Sequence, residues 1–498
     1  MTPQTGRQVT VTDIPPAWLL VPPVAATGFL WAMSSHELET SAVVYAFLLL
    51  IIPWGSYLYW QQGRRDRLPL FAMVSGAYWV NFALGLFWGQ RTFTAALASA
   101  SFTPTESAIT DATWMALVGV VCLWSGMRMP MPIWDPSKLP DILDRRASWA
   151  YVRALLIAGI AFGLSPGTVW IFGAEGRQLM ITLTTVVPDV AFVLLFDRYL
   201  SGRSAPIDRV LLVTCGAARL LGGLASGWLG PTVGWGVTCG ALFLLRRRKF
   251  PVIPIALTIV LILFLQVGKS EFRSMYWSPD QAESGLVDRV QFWVETAASK
   301  WSDALKSGER TESLGLASQS LQRASLLTQV AHVLEMTPSQ VAFQEGATYR
   351  FLAVTLIPRM LWPDKPTVND ANKFYQVAYG LTTESGLDNV SIAVGSLAEG
   401  FINFGWAGVV GVMLFIGGVL GVYQRTFVVA ESSTLFLAIG LTLVPGFLAL
   451  ESQLGQYLGG MIQQMLLTLI VFLPIVRRRV HSNEPTGQQV SRMPVFQS

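Results

Sequence analysis

Long apolar runs recur along the chain, each bounded by arginines, prolines, glycines or a short polar stretch. About 20 helical residues cross a hydrocarbon core of roughly 30 Å. Runs near that length occur at 17–33, 41–60, 69–89, 112–128, 152–172, 178–197, 207–226, 228–245, 251–267, 406–423, 432–450 and 457–476. They lack the period-two alternation of a barrel strand, and in lipid every backbone amide needs an internal partner, so helices are the expected elements. The seventh and eighth runs are rich in glycine and separated only by Gly227-Trp228-Leu229-Gly230-Pro231. The predicted fold class is all-α: a polytopic transmembrane helical bundle of about 12 spans.

The pattern changes between the ninth and tenth runs. Residues 268–405 are polar and form a large, partly helical loop, which divides the chain into 1–267 (about nine spans), 268–405, 406–476 (three spans) and a tail, 477–498. Within the loop, Leu286, Val290, Trp293, Ala297, Trp301 and Leu305 recur at helical spacing and define one apolar stripe. Such a helix either lies on a membrane surface or packs on the rest of the loop. A second helix is expected from Ser318 to Met336, ending before Pro338. No internal repeat divides the chain into equivalent halves, which weighs against the usual plan of a secondary transporter.

Composition agrees with a bilayer protein: 52% of residues are hydrophobic, 13% are charged and the mean hydropathy is +0.47. A soluble domain carries about a quarter charged residues. Lys and Arg fall asymmetrically. With the N-terminus inside, the inner segments hold Arg64, Arg65 and Arg67, then Arg128 to Arg153, Arg198 to Arg209, Arg246 to Lys249 and Arg477 to Arg479. The short segments on the other side hold only Arg91 and Arg177. Both termini are therefore expected in the cytoplasm and 268–405 outside. The net charge of +4 is explained by these arginines and implies no nucleic-acid partner. The first sixteen residues lack a basic stretch with a cleavage site, so no removable signal peptide is expected, and 480–498 reads as a disordered tail. Cys122, Cys215 and Cys239 lie in or near spans, so no disulfide framework holds the loop.

Candidate chemistry concentrates in the loop. It has 11 Lys and Arg against 15 Asp and Glu, so an anion site must come from particular residues: Arg273, Arg323, Arg350, Arg359 and Lys365. Guanidinium groups match phosphate oxygens two at a time and stay charged. The three prolines of Ile357-Pro358-Arg359-Met360-Leu361-Trp362-Pro363-Asp364-Lys365-Pro366 predict a stiff, non-helical platform displaying Arg359, Trp362 and Lys365. Trp362 would offer a flat face to a sugar ring. Glu399 and His332 are the candidate proton acceptors, with a salt-bridge partner and a packed histidine as their plainer roles. Asp189 and Arg219 sit at similar depth in the sixth and seventh spans and predict an ion pair. Arg177, just outside the sixth span, would join the anion site from below. No Asp-x-Asp, no Walker A motif and only three histidines (His36, His332, His481) occur, so neither a metal nor another cofactor is expected.

Residues from about Arg323 to Gly408 resemble the oligosaccharide repeat-unit polymerases, the O-antigen polymerase (Wzy) group. The resemblance rests on Arg323, Gly346-Ala347-Thr348-Tyr349, Ile357-Pro358-Arg359, Leu361-Trp362-Pro363-Asp364-Lys365-Pro366 and Glu399 with Asn403-Phe404-Gly405. The placement of Lys269 and Arg273 after the ninth span is similar too. It implies a metal-independent membrane glycosyltransferase of the bacterial inner membrane with its loop in the periplasm. The enzyme would join repeat units carried on undecaprenyl diphosphate into O-antigen or exopolysaccharide. Arg177, Arg273, Arg323, Arg350, Arg359, Trp362 and Lys365 would bind diphosphate and sugar, and Glu399 or His332 would take the acceptor proton. Implied partners are the lipid-linked oligosaccharide, membrane lipids, a chain-length regulator and a flippase. An O-antigen ligase, a transporter or flippase of lipid-linked sugars, and a non-catalytic scaffold are the alternatives; the few charges within the spans favour an enzyme over a transporter.

Overall fold

The computed structural model describes residues 15–34, 37–63, 66–88, 93–94, 101–165, 168, 171, 173–227, 229–276, 285–306, 325–355, 357, 362, 370–387 and 392–477. The tail beyond 477 and Arg323, Arg359 and Lys365 lie outside them. Each apolar run coincides with a helix. These are α1 (Pro16–Ala32), α2 (Thr40–Gln62), α3 (Leu70–Phe87), α4 (Glu106–Arg128), α5 (Arg146–Leu164) and α6 (Leu179–Leu200). Then come α7 (Pro206–Ala225), α8 (Leu229–Arg247), α9 (Val252–Gln266), α10 (Lys269–Tyr276), α11 (Leu286–Lys306) and α12 (Leu327–Met336). The chain continues with α13 (Arg350–Thr355), α14 (Asp370–Ala378), α15 (Gly395–Thr426), α16 (Thr434–Leu448) and α17 (Leu454–Phe472). Strand content among the described residues is limited to two-residue pairs, so the all-α class holds.

Among the described residues seven helices are long and apolar enough to cross a membrane, or up to eight if the bent pair α9–α10 is one span. α1 and α16 are apolar but shorter, and α7 and α8 are more polar and glycine-rich. Large apolar side chains cover the outside: on α9, Val252, Ile253, Leu257, Ile259 and Val260 are all exposed. In water such a face would be an association site; around a bundle of this composition it is the surface that lipid covers. α16 is apolar on all sides and buried on most of them, as befits a helix in the middle of a bundle.

The bundle's tightest seam is between α4 and α15. A Cβ on Gly417 would run into the Leu123 carbonyl, one on Gly126 into the Leu414 carbonyl, and one on Gly421 would stand 2.6 Å from the Met127 oxygen. Gly417 and Gly421 are four residues apart and present one face. This is the small-residue crossing by which helices in lipid reach close dispersion contact without a hydrophobic driving force.

Several charged residues near the helix ends are paired. Asp208, fully buried, accepts from Arg153 at 2.7 Å and from the Ala205 amide at 2.8 Å, which joins α5 to α7. Asp197 of α6 takes Arg246 of α8 at 2.6 and 3.2 Å. Arg198 lies over the Trp149 ring at 3.9 Å. The predicted intramembrane pair also forms: Arg219 binds Asp189 with two hydrogen bonds, at 3.1 and 2.9 Å. A carboxylate shielded from water needs donors or an opposite charge, and each of these three has both.

One end of the bundle gathers the segments between α2 and α3, α4 and α5, and α15 and α16, together with the C-terminal end of α17. Leu68 N donates to Val428 O, Ala430 N to Asp66 O, and Asp141–Ile142 pairs with Val476–Arg477. The polar region sits on the opposite end. Leu326 N and Ser325 Oγ donate to the Asn81 carbonyl in the π-helical stretch Trp79–Leu84 of α3, and Thr105 N donates to Glu335. α12 therefore starts at Leu327, where Ser325 Oγ accepts from its first amide, and Ser325 and Leu326 are not helical as the expected start at Ser318 required. Residues 318–324 lie outside the described set.

The apolar stripe of α11 is buried against the bend between α9 and α10. Trp293 and Ala297 are fully buried, and Trp293 Nε1, Trp301 Nε1 and Lys300 Nζ donate to the carbonyls of Leu265, Phe264 and Val267. These carbonyls lie at the C-terminal end of α9, where the helical ladder runs out, and Leu265 O also accepts from Gly268 N. Leu286 and Leu305, at the ends of the stripe, remain exposed.

Replacing Gly417 by Leu should force apart α4 and α15. Overpacking costs typically 1–3 kcal/mol, and a main-chain obstacle puts this site at about the upper end. A fall in detergent-solubilised melting temperature, larger than that for Gly411→Leu, whose Cβ would meet open space, is the expected result.

Candidate functional site

The helix α15 is broken near its start. Phe404 and Gly405 leave helical geometry, and Gly405 has φ +60°, ψ −146°, a conformation that favours glycine. Eight residues of continuous helix would span about 12 Å. Instead a Cβ on Gly400 would stand 2.9 Å from the Gly408 oxygen, so the chain doubles back and the arm 395–403 lies against the start of the span. The sequence placed the tenth span at 406–423; 406–426 is its helical length, and the arm before it is too short to cross a bilayer.

Glu399 lies on that arm, 2% exposed. Its Oε1 accepts from Thr348 Oγ1 at 2.9 Å and its Oε2 from the Leu454 amide, the first of α17, at 2.7 Å. An anion at a helix N-terminus meets both amide donors and the positive end of the dipole. Asn403, one turn later, donates to Thr348 Oγ1 at 2.7 Å and accepts from Gly346 N at 3.0 Å. Main-chain bonds from Gln344 and Glu345 to the carbonyls of Ile402 and Asn403 complete the joint. Positive φ at Glu345 and Gly346 turns the chain tightly enough to receive them. Tyr349 follows, its hydroxyl held protonated by burial and by the nearby Glu399 carboxylate, both of which raise its pKa. Arg350 then emerges exposed at the start of α13.

His332 occupies a second cluster, between α12 and the C-terminal end of α14. It is buried, its ring 4.2 Å from Phe102, and Nε2 lies 3.1 Å from the Tyr379 carbonyl. A carbonyl only accepts, so Nε2 carries the proton and Nδ1 the lone pair. Burial lowers the pKa from 6.5, which keeps the ring neutral. Tyr379 bonds through its own hydroxyl to Thr337 at 2.6 Å.

The other candidates lie on separate elements. Arg273 is half-buried on α10 beyond the bend, and Arg177 is exposed on the short helical turn Gly173–Ile181 that leads into α6. Trp362 is exposed and non-helical, as the proline-rich stretch predicted, while Arg323, Arg359 and Lys365 lie outside the described residues. Sequence reasoning missed Thr348 and Asn403 as partners of Glu399, although both fall within motifs it singled out. The signal was Asn403 four residues after Glu399, one helical turn on. Among the described residues no group of three or more His, Cys, Asp or Glu is placed to hold a metal. A cavity between Tyr78, Ser396, Ser452 and Tyr457, beneath the joint, has room for about one water molecule and none for a sugar ring.

A helical membrane bundle with a polar region seated on one end is the class this architecture defines. Residues 160–444, more than half of the chain, match the model of a family described as a domain of unknown function (DUF8712), and the chain belongs to that family. The matched stretch contains α6 to α15, hence Glu399 and the 344–349 turn, while Leu454 lies beyond it. Comparison with curated proteins and with solved structures finds no match.

Two outcomes follow from these clusters. Glu399→Gln places an amide where two donors converge. Loss of a hydrogen bond to a charged group costs about 1.5–3 kcal/mol, so the melting temperature should fall and protease cleavage near 344–349 should rise. His332 has a lowered pKa, so the unfolded chain binds the proton more tightly than the folded one. Its contribution is complete above pH 6.5 and shrinks as the pH falls from there through the folded-state value. Melting temperature should drop over that window, and His332→Gln should flatten the drop.

Proposed function

We propose that this protein is a polymerase of lipid-linked oligosaccharide repeat units, a membrane glycosyltransferase whose polar region faces the outside of a bacterial inner membrane. The reading rests on the sequence resemblance at 323–408 and on one structural observation. The turn leading to Arg350 is held to the arm 395–403 by Glu399 and Asn403, and Arg350 follows it exposed. The full count of twelve spans belongs to the same proposal. So do the cytoplasmic termini, and the charged ends of α5 to α8 gathered by Asp208, Asp197 and their arginines fit that topology.

In the proposed reaction a hydroxyl of one lipid-linked unit attacks the anomeric carbon of the growing chain. A new C–O bond forms, the bond to the lipid diphosphate breaks, and the diphosphate leaves with the electron pair. Arg350, with Arg273, Arg323, Arg359 and Lys365, would neutralise the charge that builds on it, an effect strongest where water is excluded. Glu399 and His332 are buried and hydrogen-bonded, so we assign them to positioning rather than proton abstraction. The acceptor's proton then passes to the departing diphosphate.

The test is complementation of a deletion strain with Arg350→Ala, Arg323→Ala and Arg359→Ala at matched membrane levels, with the polymer read as a ladder on a gel. Single repeat units in place of the ladder are expected for each. Full ladders from all three would end the arginine-centred reading and favour a transporter or scaffold.

A further inference from the structure

The doubled-back tip of α15 carries a cluster of aromatic rings. Phe404 is 49% exposed, Trp406 41% and Phe343 39%, although all three pack on neighbours. Phe401 meets Trp406 at 6.1 Å and Phe343 at 6.1 Å, and Tyr349 stacks on Phe404 at 6.4 Å. The two tight backbones beneath them are fixed by the same rings. A Cβ on Gly405 would stand 3.3 Å from Phe343, and one on Gly346 3.1 Å from Phe404.

What covers these rings follows from the helix below. On the span 406–426, Trp406, Ala407, Val410, Gly411 and Phe415 are exposed and fall on one side of the helix. The opposite side, with Val409, Met413, Ile416 and Leu420, is buried in the bundle. The exposed side therefore faces acyl chains, and the aromatic cluster continues it without a break at its upper end. From residue 406 to 426 the helix rises about 30 Å, the thickness of a hydrocarbon core. Its lower end, at Arg425, bonds to Met129 O among the segments gathered at the opposite end of the bundle. With that end at one interface, Trp406 lies at the other, the level at which Trp and Tyr concentrate in membrane proteins.

We infer that the aromatic tip formed by Phe343, Phe404 and Trp406 is seated in the headgroup–acyl boundary of the leaflet beneath the polar region. The 343–349 turn then rides on the bilayer itself rather than standing above it. Arg350, next in the chain, is carried at the depth of lipid phosphates. The inference needs only the membrane-spanning role of α15 and stands apart from the polymerase reading.

Spin labels at Phe404→Cys and Phe343→Cys, in a chain with Cys122, Cys215 and Cys239 changed to Ser and reconstituted in phosphatidylethanolamine–phosphatidylglycerol vesicles, test it. Phe415→Cys supplies the lipid reference and Thr383→Cys, on an exposed polar turn, the water reference. Collision ratios for oxygen over a water-soluble nickel chelate are expected several-fold above the Thr383 value and toward that of Phe415. Ratios equal to that at Thr383 would overturn the inference. Should the labelled chains fail to fold, cross-linking of the unmodified chain to a photoactivatable phospholipid decides between the same outcomes: adducts on the 343–349 and 404–407 peptides support the seating, and adducts confined to α9 and the lower part of α15 refute it.

Discussion

The carboxylate of Glu399 accepts at once from Thr348 and from the first amide of α17, and it lies on a helical arm that doubles back at Gly405. Three stretches distant in the chain meet there: the 344–349 turn, the arm 395–403 and the last span. Burial raises the pKa of this carboxyl and its two donors act against that rise, so withdrawing either donor leaves a buried oxygen unpaired at real cost. The geometry of the stretch before Arg350 therefore descends from this joint. It fixes the turn, the turn sets Tyr349 and Arg350, and Asn403 repeats the contact one helical turn below.

The joint in turn needs a rigid base. The α4–α15 seam supplies it, because Gly126, Gly417 and Gly421 let two backbones approach to a distance that any side chain would forbid. The ion pairs of α5 to α8 hold the other half of the bundle by a different means. Asp208, Asp197 and Asp189 each take an arginine from a neighbouring helix, so charges that lipid would reject become cross-links. At the bend between α9 and α10, α11 closes the exposed carbonyls with two indoles and a lysine. The ion pairs and the capped bend answer the same requirement, that no polar group face hydrocarbon without a partner.

Much of the candidate site was legible before any coordinates. Glu399, Asn403 and the Gly346–Tyr349 turn were singled out from the sequence, and the structure brings them into hydrogen-bond contact. Their relationship was not legible, because it depends on the reversal at Phe404–Gly405, which folds the arm back on the span and leaves no periodic mark. His332 shows the converse. As a lone histidine in a polar loop it allowed either proton transfer or plain packing, and the Tyr379 carbonyl and the Phe102 ring that enclose it show the packed role.

The sequence by itself determined the all-α class, the apolar helices and their approximate ends. Those features follow from hydrocarbon thickness and backbone satisfaction, which act on each segment alone. It also determined that Asp189 and Arg219 would pair, since two intramembrane charges at equal depth have no better partner. Only the tertiary structure decided which helices touch, where α15 folds back, and that the stripe of α11 would cap a broken helix. Those outcomes depend on backbone approaches at single glycines and on donors meeting acceptors dozens of residues away, and neither leaves a periodic trace in the chain.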